Sequence, residues 1–132
     1  MTTNGPGSVI QKPLYRKGDH MIKTRLPEFI EIGPFKVKIN LLSHDLSYEV
    51  SEQQGSFHAK PPLTMHLDEN IMDMHNEVSL NLLIHELFHL CQYQYQLDST
   101  SSEEIIVNSY ANFMTEVLTR SNLKPWIKSV IG

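Results

Sequence analysis

A chain of 132 residues, 40% apolar and 20% charged, has the composition of one ordinary globular domain with room for a single core. Its lone cysteine, Cys91, excludes an intramolecular disulfide scaffold, and no apolar run approaches the ~20 residues of a membrane-spanning helix. The net charge of -4 divides into +4 over residues 1–25 and -8 over the remainder, where six basic residues face fourteen acidic ones.

Residues 1–20 are rich in Gly, Pro, Thr, Asn and Lys without periodicity, the composition of a flexible basic arm ahead of a folded domain at 21–132. The five basic residues of 1–25, Lys12, Arg16, Lys17, Lys23 and Arg25, are too dispersed to form a nucleic-acid-binding stripe, so nucleic acid is not an expected partner. The N-terminal residues also lack a continuous apolar segment of the kind that signals secretion, and the expected location is the cytoplasm.

Gly33-Pro34 marks a turn, after which Phe35, Val37, Ile39 and Leu41 alternate with Lys36, Lys38 and Asn40, the period of a half-buried strand. Ser43 to Gly55 is polar and reads as a connection, with at most a short strand or turn at Tyr48–Val50. Ser56–Lys60 is a candidate strand stopped by Pro61-Pro62. Leu63, Met65 and Leu67 alternate with Thr64 and His66 in a further strand. The expectation is a sheet of about three strands with an edge near the Pro pair. A long helix is predicted over about Asp73–Gln96, with a break near His75. A second helix follows over Glu103–Ser121, and a short one covers the core after Lys124-Pro125. The fold class is α+β.

Within the long helix, Leu80 to Leu90 reads L-N-L-L-I-H-E-L-F-H-L, which contains His-Glu-x-x-His at 85–89. His85 and His89 project about 40° apart on one helix side, so both imidazoles can bind one metal ion, and Glu86 stands beside them where a general base belongs. Leu83, Leu87, Leu90 and Cys91 fall on the opposite arc, so packing does not require the histidines. Cys91 points into the core and is not an expected ligand. The simpler alternative is a helix whose His and Glu bond to each other or to backbone. A catalytic zinc site takes three protein ligands and a water, and the candidates for the third are Glu103 and Glu104 at the start of the next helix. Both also fit capping patterns, with Thr100 and Ser101. Among the other histidines, His58 and His66 lie on strands and face either a cleft or solvent, while His20, His44 and His75 read as loop or exposed residues. Tyr93 and Tyr110 are candidate oxyanion donors, or core and rim residues.

H-E-L-F-H at 85–89 followed by E-I-I-V-N-S-Y-A at 104–111 resembles the gluzincin arrangement of zinc metallopeptidases. The layout over Phe35–Ile131 also resembles small phage-encoded metallopeptidases and the ImmA/IrrE-like group. The resemblance implies a minimal zincin-like domain: a small N-terminal sheet, the active-site helix, and a second helix carrying the third ligand. It further implies Zn²⁺ held by His85, His89 and Glu104, with Glu86 as general base, a protein or peptide substrate lying along an edge strand near Leu63–Leu67, and residence in a host cytoplasm. The sequence departs from the pattern at Val107, where Ala is common, and in lacking a clear match to the Tyr or His that many gluzincins place on the oxyanion. The competing reading is a zinc-binding but non-catalytic adaptor or inhibitor on the same scaffold. A metal-free helical interaction domain is the third.

Overall fold

Strand β1 (Phe29–Ile32) and strand β2 (Phe35–Leu42) form an antiparallel hairpin, pairing Ile30 with Val37 and Ile32 with Phe35. Gly33 makes the turn at φ 56°, a left-handed conformation that an L side chain adopts only under strain. The structure, a computed structural model, describes residues 24–43 and 55–132. The expected arm, the segment at Tyr48–Val50, and His20 and His44 lie outside the described residues.

Strands β3 (Gly55–His58) and β4 (Thr64–Asp68) complete a four-stranded sheet of order β1-β2-β4-β3. β2 and β4 run parallel, and the other two pairs are antiparallel. The count exceeds the expected three because Phe29–Ile32, with Ile30 and Ile32 buried, also pairs. A second correction concerns the edge. β4 is hydrogen-bonded on both sides, so Leu63–Leu67 is not an edge strand; β3 is. Strand alternation turns Ile30, Val37, Ile39, Met65 and Leu67 to one face, where all are buried. Lys36, Lys38, Asn40, Ser56, His58 and His66 take the other.

Asp68 ends β4 and caps helix α1 (Glu69–Met74), its carboxylate accepting from the Ile71 amide at 3.1 Å. The expected break falls at His75, which closes α1 in the left-handed region at φ 53°. His75 is not an exposed loop residue, however. It is buried, its ring edge-on to Trp126 at 5.6 Å and its Nε2 3.1 Å from Ser129 Oγ. Asn76 then opens helix α2 (Glu77–Gln94) with a capping box completed by Ser79.

Helix α3 (Glu103–Thr119) is capped by Ser102, whose hydroxyl accepts from the Ile105 amide at 3.2 Å. The cap thus falls one residue after Ser101 and two after Thr100, the two expected capping residues. Helix α4 (Lys124–Ile131) starts with Pro125 in its first turn and buries Trp126 and Ile127. Leu83, Leu87, Leu90, Phe113, Val117 and Trp126 meet the buried sheet face in one core, each contributing roughly 1.5–3 kcal/mol through burial. No helix among the described residues is long and apolar enough to cross a membrane.

Candidate functional site

Three phases of α2 organise the site. Leu83, Leu87 and Leu90 hold the helix to the core, which fixes its rotation and leaves His85 and His89 outward, both exposed. Their ring centres are 5.2 Å apart with planes at 72°. Two imidazoles bonded to one tetrahedral zinc at 2.0–2.1 Å have ring centres about 5.2 Å apart, so the pair has the ring spacing of a two-nitrogen chelate.

Glu86, next in sequence, turns under the helix and is only 2% exposed. Its Oε2 lies 4.0 Å from His85 Nε2, and its Oε1 is buried without a hydrogen-bond partner among the described residues. Burial raises its pKa above the ordinary 4.5, and the neighbouring His89 and His85 oppose that rise. A carboxyl held this way takes up a proton more readily than a solvated one, as a general base at neutral pH must.

The strand over Glu86 explains why it can be buried there. A Cβ on Gly55 would stand 2.9 Å from Glu86 Oε2, 3.0 Å from Leu82 Cδ1 and 3.1 Å from the His66 carbonyl oxygen. Only glycine leaves the carboxylate its place. Sequence reasoning misses Gly55, although a glycine beginning a strand pattern is a known sign of close backbone approach. Gly55→Ala is expected to displace the Glu86 carboxylate, costing about 1–3 kcal/mol of stability in a urea titration and reducing any Glu86-dependent activity about 100-fold.

The structure does not gather the third expected ligand with the histidines. Ile106, Ser109, Tyr110, Phe113 and Val117 form the inward stripe of α3. At about 100° per residue, Glu104 lies about 160° from the centre of that stripe, and Glu103 about 60°. Both are exposed, and Asn108, the expected partner of Glu104, shares its outward face. No group of three or more His, Cys, Asp or Glu among the described residues is placed to hold a metal ion.

The remaining candidates are packed around this centre. Tyr110 stacks on Phe88 at 4.6 Å, and its hydroxyl accepts from Gln92 Nε2 at 3.3 Å. Tyr93 stands edge-on to Phe35 and Phe57 at 5.9 and 6.2 Å. His58 and His66 belong to the sheet face opposite the helices and do not reach α2. The Cys91 thiol donates to the Ser109 carbonyl at 3.8 Å, and burial pushes its pKa up to about 11. A thiol so protonated is neither a ligand nor a nucleophile. Cys91 is therefore expected to resist a disulfide reagent at pH 8 in the folded protein and to react fully in denaturant, as a thiol-release assay would record.

Comparison of the chain with protein-family models, curated proteins and solved structures finds no match. The chemistry of the site itself is what bears on its function.

Proposed function

We propose that the chain is a zinc-dependent peptidase on a minimal zincin-like scaffold, acting in the cytoplasm on protein or peptide substrates. The observation that carries this reading is the juxtaposition of an exposed imidazole pair, ring centres 5.2 Å apart, with a buried carboxyl one of whose oxygens, Oε1, has no hydrogen-bond partner among the described residues. Packing explains neither half. The pair is not needed for burial, and an unpartnered carboxyl oxygen beneath a helix costs stability that a purely structural residue would not impose.

His85 and His89 would be the two nitrogen ligands; the third would have to come from the first turn of α3, whose carboxylates are both exposed and not gathered with the pair. Glu104 is favoured by the family resemblance; Glu103 is favoured by helix phase, since it sits nearer the stripe that meets α2. Zinc, when bound, supplies Lewis acidity and an acidified water. Glu86 takes the proton of the attacking water and delivers it to the leaving amide nitrogen. The close approach of the Gly55 backbone, which leaves no room for a Cβ beside Glu86 Oε2, limits where that carboxyl can go. The outer edge of β3, which carries Gly55 and pairs with no further strand among the described residues, is a backbone edge to which an extended peptide can add as a strand.

Zinc content of chelator-stripped and reloaded protein, with hydrolysis of a mixed peptide library, tests the reading. His85→Ala and His89→Ala should each lose one zinc per chain and all hydrolysis, and either Glu103→Ala or Glu104→Ala should do the same. A second reading, a non-catalytic zinc-binding adaptor or inhibitor, is favoured because no group of three or more His, Cys, Asp or Glu among the described residues is placed to hold a metal ion. Zinc binding at His85 and His89 without hydrolysis of any library member would select it.

A further inference from the structure

On the sheet face away from the helices, a second pair of histidines meets across two strands. His58 belongs to the edge strand β3 and His66 to β4. The register pairs His58 with Thr64 and Ser56 with His66, so the two histidines are diagonal neighbours on one face. Their ring centres are 5.9 Å apart at 84°. That separation exceeds the ~5.2 Å of two imidazoles on one tetrahedral ion by less than about 1 Å, a gap that a side-chain rotation of the exposed His58 closes.

Three observations distinguish this pair from two histidines that merely pack. His66 Nδ1 is buried and has no hydrogen-bond partner among the described residues, although Asn40 stands beside it in register on β2 and Ser56 on β3. In the tautomer protonated at Nε2, that nitrogen carries a lone pair that no hydrogen-bond donor among the described residues satisfies. His66 itself is half-buried, its ring edge-on to that of His58. His58, by contrast, is exposed, which leaves the pair open to an ion arriving from solvent.

We infer that His58 and His66 form a second, independent binding site for a borderline divalent cation such as Zn²⁺, Ni²⁺ or Cu²⁺, which clamps the edge strand β3 to β4. The ligand chemistry is two imidazoles with water in the remaining positions, the preference of these ions over Mg²⁺ or Ca²⁺. A clamp here has a structural consequence. The opposite face of β3 presents Gly55 to Glu86, so an ion bridging His58 and His66 fixes the strand that buries the carboxyl.

The experiment is a Zn²⁺ titration of chelator-stripped full-length protein by calorimetry. It is run on wild type, His58→Ala, His66→Ala, a His85→Ala/His89→Ala double variant, and that double variant carrying His58→Ala as well. The double variant should retain one zinc per chain and a Zn²⁺-dependent rise in unfolding temperature, and adding His58→Ala should remove both. His58 is exposed, so its loss leaves the core intact, and circular dichroism verifies this. Zinc binding in the double variant that is unchanged by His58→Ala, or no zinc binding in it at all, overturns the inference. Loss of zinc from His85→Ala and His89→Ala concerns only the site on α2, so the two sites fail or stand separately.

Discussion

Glu86→Gln is expected to lower peptide hydrolysis by about 10²–10⁴-fold while leaving the zinc bound by His85 and His89 in place, because the amide keeps the shape of the carboxyl and cannot accept the proton. Activity equal to wild type against any hydrolysed peptide would remove Glu86 from the mechanism. The same variant carries a stability signature that can be read in metal-free protein. Burial raises the carboxyl pKa in the folded state above its ordinary 4.5. At pH below that ordinary value the group is neutral in both states and costs nothing. As pH rises from there through the raised folded value, the unfolded state ionises first and wild-type stability falls. The amide of the variant stays neutral throughout. Its melting temperature should therefore match wild type at pH 4 or below and exceed it at pH 7 to 8, the gap opening in between. Thermal melts in chelator across this range check the sign: a gap that opened towards acid would mean that the carboxylate is stabilised where it lies.

The largest loss of stability is expected at Trp126. Its side chain is fully buried and edge-on to His75, while Ser129 ties its carbonyl and the His75 ring together. Trp126→Ala removes the anchor of α4 and should cost about 3–5 kcal/mol, against a total of about 5–15 kcal/mol for a domain of this kind. Urea unfolding followed by circular dichroism measures it as a fall in midpoint. Trp126 Nε1 has no hydrogen-bond partner among the described residues. Trp126→Phe therefore forfeits no bond and should cost much less than the alanine. A cost below about 1 kcal/mol for Trp126→Ala would show that α4 is not part of the cooperative core.

Periodicity alone determined the elements that bury a face. Phe35–Leu41, with its strict alternation, forms β2, and the leucine arc through Leu83, Leu87 and Leu90 forms the core side of α2. Once that arc is buried, rotation of the helix is fixed, so the outward pairing of His85 with His89 also follows from sequence, as does the nearness of Glu86. The break at His75 was legible for a related reason: local hydrogen-bonding residues, Asp68 and Asn76, cap the helices on each side of it.

What only the tertiary structure decided involves partners distant in the chain. Strand order is set by pairings between segments, so the edge expected near Pro61-Pro62 is β3, which precedes the pair, and the Leu63–Leu67 strand, β4, lies inside the sheet. Phe29–Ile32 was too short to stand out until β2 paired with it. His75 gave no sign of burial because Trp126, which covers it, lies fifty-one residues away (126 − 75). Gly55 acquires its meaning only from the carboxyl of Glu86 beneath it. The direction of Glu104 likewise depends on which stripe of α3 is buried, and that stripe is chosen by α2 and the core, not by the acidic residues at the helix start. Sequence carries the chemistry of single elements because helix and strand periods are local; the meeting of elements is decided by long-range packing, which no local pattern encodes.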